Sequence, residues 1–124
     1  MSQDTVADAL NKMMNAQRAG KTEVVINRFS KTLTSVLAIA KLRGYVADYK
    51  IDGKKLTIKL GGINGCQAIK PRYTVQVPEI EKYVKRYLPA KHLGIIIIST
   101  SQGLMTHTTA IEKNIGGSLI AYMF

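Results

Sequence analysis

Four consecutive isoleucines, Ile95–Ile98, follow Gly94 and run straight into Ser99, Thr100, Ser101, Gln102 and Gly103. A β-branched run without polar alternation is the pattern of a strand buried on both faces, because neither side of its pleat is offered to water. The chain must therefore build a sheet covered on both sides and end this strand abruptly at a polar segment. It has the material, with 46% of its 124 residues hydrophobic and 21% charged, far from the regime of disordered chains. Such a length fits one domain or two small halves, and it excludes a multi-domain enzyme.

Periodicity supplies the remaining elements. Asp4 is a candidate cap for a first helix with Val6, Leu10, Met13 and Met14 on one face, ending before Gly20. A strand over Glu23–Asn27 follows, then Ser30 as N-cap of a helix over Lys31–Arg43, with Leu33, Val36, Leu37 and Ala40 as its stripe and Gly44 as its stop. Tyr45–Lys50 and Lys55–Leu60 read as strands joined at Asp52-Gly53, a type I′ hairpin signal. The glycines at 61, 62 and 65 mark the boundary between an α-β-α-β-β half, residues 1–62, and a mostly β half with short helices, residues 63–124. The expected class is α+β. In the second half, Cys66–Ile69 and Tyr73–Val77 read as strands around Lys70-Pro71-Arg72. A helix opened by Pro78 and stopped by Pro89 follows, with Ile80, Val84, Tyr87 and Leu88 inward. Beyond Ile98, the expectation is a strand Leu104–His107, a helical turn capped by Thr108 or Thr109, and a closing strand Ser118–Phe124.

Eighteen Lys and Arg against eight Asp and Glu give a net charge of +10, which points to a polyanionic partner. The excess is shared, eleven against five in residues 1–62 and seven against three in 63–124, so neither half is a detachable charged tail. No stretch approaches the roughly 18 apolar residues of a membrane span. With no secretory pattern in the opening residues and Cys66 as the single cysteine, a cytoplasmic protein without disulfides is expected, and Cys66 reads as core filler.

Little here can carry catalysis. His92 and His107 have no metal-ligand spacing, and one cysteine cannot build a zinc site, so no metal or cofactor is expected. Gly61–Gly65 lacks the order and the following helix of a dinucleotide loop. Ser99 or Ser101 with His107 and Glu112 would have the residue types of a hydrolase but not its frame, and the chain is not expected to be an enzyme. The polar segment reads better as a nucleic-acid contact. Its hydroxyls and amide can exchange hydrogen bonds with base edges, 2′-hydroxyls and phosphates, and Gly103 permits close backbone approach. Lys70, Arg72 and Tyr73, Lys82, Lys85 and Arg86, and Lys54 and Lys55 suit phosphates, although the helix group serves equally well as a solvated face. Tyr73 suits either base stacking or a core edge, whereas Tyr83, Tyr87 and Tyr122 are assigned to the core.

Ile96–Thr106, followed by Ala110 and Gly116-Gly117, resembles the C-terminal signature of the small-subunit ribosomal protein eight family. The opening Asp4–Leu10 with Asn15 is similar to that family's Asp-Pro-Leu/Ile-Ala-Asp/Asn-x-Leu, with Thr5 in place of Pro. Ser30-Lys31 resembles its helix start and Pro71-Arg72-Tyr73 its central hairpin, while Lys12-Met13-Met14 departs from its usual pattern. Gln102, His107 and Leu88–Ala90 resemble the archaeal and eukaryotic branch, and Ser118 stands where many bacterial members carry Glu.

The resemblance covers nearly the whole chain. It implies a two-part α+β scaffold of the small subunit that binds the central domain of its rRNA early in assembly, without catalysis. Ser99, Thr100, Ser101 and Gln102, with Gly116, Gly117 and Ser118, would hold an irregular internal loop of an rRNA helix. Gly103, Met105, Thr106 and His107 continue that group. Arg72 and Tyr73, with Lys70, would approach the same element. Asp4, Thr5, Asn11, Lys12, Asn15, Ser30 and Lys31 would touch a second rRNA segment. Lys55 is expected as a further RNA contact from its charge at the hairpin tip, apart from the resemblance. Neighbouring small-subunit proteins are implied as partners. The resemblance also permits binding to a messenger of the protein's own operon. No membrane partner is expected, and the chain is expected to be a monomer outside the ribosome.

Overall fold

Val6, Leu10 and Met13 recur on one face of α1, Thr5–Arg18, and are fully buried. The computed structural model to which this helix belongs describes residues 5–70, 72–90 and 93–124, so the proposed cap Asp4 lies outside the described residues, as do Pro71 and His92. Strand β1, Glu23–Ile26, alternates outward Glu23 and Val25 with buried Val24 and Ile26. Helix α2, Lys31–Leu42, buries Leu33, Val36, Leu37 and Ala40, and the Ser30 side chain accepts a hydrogen bond from the Leu33 N–H at 3.3 Å. With β2, Val46–Asp52, and β3, Lys55–Leu60, these strands form an antiparallel sheet in the order β1-β3-β2. Helix α1 lies against β1 and α2, and α2 against β2.

The fold is α+β, and the chain divides into two compact units, Met1–Cys66 and Gln67–Phe124. The division falls beyond the glycine cluster, whose Gly61 and Gly62 are tied to the first unit. Gly61 donates to the Tyr45 carbonyl and Gly62 to the Gly44 carbonyl, and a Cβ on Gly61 would lie 2.5 Å from the Gly44 oxygen. The β2–β3 turn also differs from expectation. Asp52 pairs with Lys55, so the turn residues are Gly53 and Lys54, one place later than Asp52-Gly53. Gly53 has φ 62° and Lys54 does not share the positive φ, which is the pattern of a II′ turn.

The second sheet runs β4-β8-β6-β7, with β5 on the same edge of β8 as β4. Its strands are β4, Cys66–Ala68; β5, Thr74–Val75; β6, Ile95–Thr100; β7, Gly103–Thr106; and β8, Gly117–Met123. All four isoleucines of β6 are buried. Ile96 and Ile98 join Ile80 and Val84 from helix α3, Val77–Tyr87, Leu88 that caps its end, and Ala110 from helix α4, His107–Glu112, in one core.

Three boundaries shift for local reasons. Strand β5 is shorter than Tyr73–Val77 because Gln76 becomes the N-cap of α3, its N–H donating to the Glu79 carboxylate at 3.0 Å. Helix α4 is capped by Thr106, not by Thr108 or Thr109. Ser99 and Thr100 belong to β6, so the polar segment is the end of a β-hairpin whose turn is Ser101-Gln102 alone.

Candidate nucleic-acid interface

The β6–β7 hairpin closes with Thr100 opposite Gly103 and Ser99 opposite Leu104. Thr100 holds the turn from inside, its Oγ1 donating to the Gly103 carbonyl at 2.9 Å and accepting from the Gln102 N–H at 3.1 Å. Gly103 takes φ 109°, a backbone that other residues rarely adopt. Ser101 and Gln102 are exposed, and Ser99 and Thr100 half-buried. Thr100 is thus a turn organiser, while Ser101 and Gln102 present their polar groups outward.

Strand β8 brings Gly116-Gly117 and Ser118 beside this hairpin. Ser118 pairs with Ser99 on one edge and with Thr74 of β5 on the other, and the Thr74 and Ser118 hydroxyls lie 3.5 Å apart. Three hydroxyl residues therefore stand in a row across three strands. The row depends on the glycines. A Cβ on Gly117 would lie 2.2 Å from the Ser99 carbonyl oxygen, and one on Gly116 2.4 Å from the Val75 oxygen, so no side chain fits where β8 enters. Tyr73 joins the same end of the sheet, its carbonyl accepting from the Leu119 N–H at 2.9 Å. Arg72 precedes it, exposed, as is Lys70. The structure thus brings together Ser99, Thr100, Ser101, Gln102, Gly103, Gly116, Gly117, Ser118, Arg72 and Tyr73, within the second unit.

Met105, Thr106 and His107 are placed differently. All three are buried, with 5% of His107 exposed. The His107 Nδ1 accepts from the Ile96 N–H at 3.1 Å, which satisfies a backbone donor where β7 has ended, so the ring is neutral at that nitrogen. The Thr106 hydroxyl accepts from the Thr109 N–H at 3.4 Å and lies 3.0 and 3.1 Å from the Thr108 and Thr109 hydroxyls. These side chains support the hairpin from within.

The first unit carries a second group. The Thr5 and Ser30 hydroxyls lie 2.8 Å apart, joining the start of α1 to the cap of α2. Beside them is a cleft of about 320 Å³ lined by Thr5, Asp8, Ala9, Asn11, Lys12, Ile26 and Arg28. Asn15 lines the next cavity along α1 with Lys12. Lys31 is exposed at the first position of α2, and Lys55 is exposed at the start of β3, after the II′ turn.

Thr74 and Arg28 escaped the sequence reading. Thr74 was legible only as one residue of a strand, since its place in the row depends on β8 pairing, and Arg28 lies between elements with no motif of its own. Tyr83, Tyr87 and Tyr122, expected in the core, are partly buried at its edge. Among the described residues, no three metal-ligating side chains stand close enough to hold an ion, and no helix is long and apolar enough to cross a membrane. The family model for ribosomal protein S8 matches residues 4–124, nearly the entire sequence and both units of the fold. The chain therefore belongs to the ribosomal protein S8 family, proteins of the small ribosomal subunit.

Proposed function

We propose that this protein binds the central domain of small-subunit rRNA directly and helps nucleate assembly, as a structural component and not as an enzyme. The observation that carries this reading is the family match over residues 4–124, in a chain whose second unit gathers a hydroxyl row, an exposed polar turn and Arg72-Tyr73 at one end of its sheet. A rigid end of this kind suits a distorted RNA helix. Hydroxyls and backbone groups exchange hydrogen bonds with 2′-hydroxyls and base edges over a wide minor groove, while Lys70 and Arg72 neutralise phosphates. The exposed Asn11, Lys12, Asn15 and Lys31 of the first unit serve a second rRNA segment, and Lys55 adds a further cation. Met105, Thr106 and His107 act by holding the hairpin in shape. Binding to a messenger with the same loop, contact with neighbouring small-subunit proteins and a monomeric free state belong to the same reading.

The test is binding to a short RNA hairpin carrying the rRNA internal loop against a fully paired control at fixed salt. By analogy with specific DNA binders, a preference of ~10³ or more is expected. Equal binding to both would reduce the protein to a general basic coat for RNA.

A further inference from the structure

Resting on the reading of the second unit as an RNA-binding one, we propose that the outer edge of α3, formed by Lys82 and Arg86, is a second phosphate-binding strip. It extends the contact from the Arg72-Tyr73 turn along the helix. On α3, Ile80 and Val84 are buried, Tyr83 and Tyr87 occupy the flank of that stripe, and Lys82 and Arg86 lie one step further round, exposed. The flank is part of a ladder of five rings. Tyr73 stacks on Tyr83 with centroids 5.5 Å apart, Tyr83 on Tyr87 at 6.3 Å, Tyr87 on Tyr122 at 5.3 Å, and Tyr122 on Phe124 at 6.2 Å. Tyr122 is fixed further by its hydroxyl, which donates to Gln67 Oε1 at 3.0 Å.

Both cations are held against this ladder. Lys82 Nζ lies 5.9 Å from the Tyr83 centroid and Arg86 Cζ 5.5 Å from that of Tyr87. A ring face attracts a cation without cancelling its charge, so the two heads are ordered and still positive. Among the described residues neither forms an ion pair. Glu79, the helical acid on their side, accepts the Gln76 N–H and forms no ion pair with either cation, and Glu81 lines a separate cavity with Lys85. An i, i+4 pair separates its charges by about 6 Å along the axis, a spacing suited to successive phosphates of one strand. The first ring of the ladder is Tyr73, so the strip is continuous with the turn assigned to RNA. That continuity favours a ribose-phosphate backbone over an acidic protein segment as the occupant.

The experiment uses the full chain with Lys82→Gln, Arg86→Gln and, as a control on the neighbouring row of α3 beside Glu81, Lys85→Gln, each checked for folding by urea titration. Affinity is measured for the looped and the paired RNA from 50 to 200 mM salt. Each lost phosphate contact should flatten the fall in affinity over that range by about 3-fold and lower the salt slope by about 1, in the same proportion for both RNAs. Lys85→Gln should keep the wild-type slope. Wild-type slopes in folded Lys82→Gln and Arg86→Gln overturn the proposal, as does an equal change in Lys85→Gln, which would reduce the effect to net charge. If those two variants keep their RNA slopes but lose binding to polyglutamate, the strip is a site for an acidic protein and the proposal fails. The wild type's preference for looped over paired RNA tests the broader reading separately.

Discussion

Replacing Gly117 with Ala perturbs the hydroxyl row without removing any polar group. The added Cβ would lie 2.2 Å from the Ser99 carbonyl oxygen, 2.9 Å from its carbonyl carbon and 3.0 Å from Ile98 Cγ2. Two of these neighbours are backbone and cannot swing aside. Ordinary contact begins near 3.4 Å, so β8 and β6 would have to part by about 1 Å at this point. A ladder hydrogen bond lengthened by that much is no longer one. Losing the pairing around Ser99 and Ser118 gives up roughly two such bonds at about 1 kcal/mol each, and strain in the neighbouring core adds about 1 kcal/mol. Gly117→Ala should therefore lower the unfolding free energy by about 2 to 4 kcal/mol, read as a lower urea midpoint at unchanged slope. In conditions where the variant is folded, it should also lose much of its preference for looped RNA, because Ser99, Ser118 and Thr74 no longer share a row. A variant with wild-type midpoint and wild-type preference would refute the claim that close strand approach at Gly117 builds the site.

Three further outcomes test other parts of the account. Ser101→Ala, on the exposed turn, should cost about 1 to 2 kcal/mol in affinity for the looped RNA with no change in the urea midpoint, and an unchanged Kd would remove Ser101 from the contact. His107→Leu leaves the Ile96 N–H without its acceptor in a buried site and should destabilise the fold by about 1 to 3 kcal/mol, checked by thermal or urea unfolding. Burial pushes the Cys66 thiol from 9.0 up to about 12. The unfolded thiol ionises from about pH 9 while the folded one stays protonated, so the unfolded state binds fewer protons and stability falls between these values. At pH 10.5 the loss from this thiol is about 2 kcal/mol relative to pH 8, and Cys66→Ala should lose that much less over the same interval.

Local chemistry carried most of the fold into the sequence. The stripes of α1 and α2, the Ser30 cap and the unbroken isoleucine strand needed only periodicity and capping to be read. Errors fell where several residues could do the same work. Three threonines precede and enter α4, each able to cap it, and the end of β7 decided for Thr106. At the β2–β3 turn, Asp52-Gly53 and Gly53-Lys54 both contain the glycine, and the pairing of Asp52 with Lys55 chose between them. From periodicity and residue chemistry alone the candidate site was legible as a segment, Ser99–Gly103, and only the family resemblance grouped Gly116, Gly117, Ser118, Arg72 and Tyr73 with it. Thr74 and Ser118 are 44 residues apart and meet only through β8. His107 gave no sign of burial, since its role is to satisfy a backbone donor exposed by the end of a neighbouring strand.

The aromatic ladder also makes the second unit visible by itself. The chain has no tryptophan, and four of its six tyrosines, at 73, 83, 87 and 122, lie in the stack, while Tyr45 and Tyr49 belong to the first unit. Closely stacked phenols couple as chromophores, so the near-ultraviolet dichroism of this protein should arise mainly from the second unit. That signal would follow the second unit through unfolding or assembly without an added label, and its loss ahead of the helical signal would reveal the two units melting in turn.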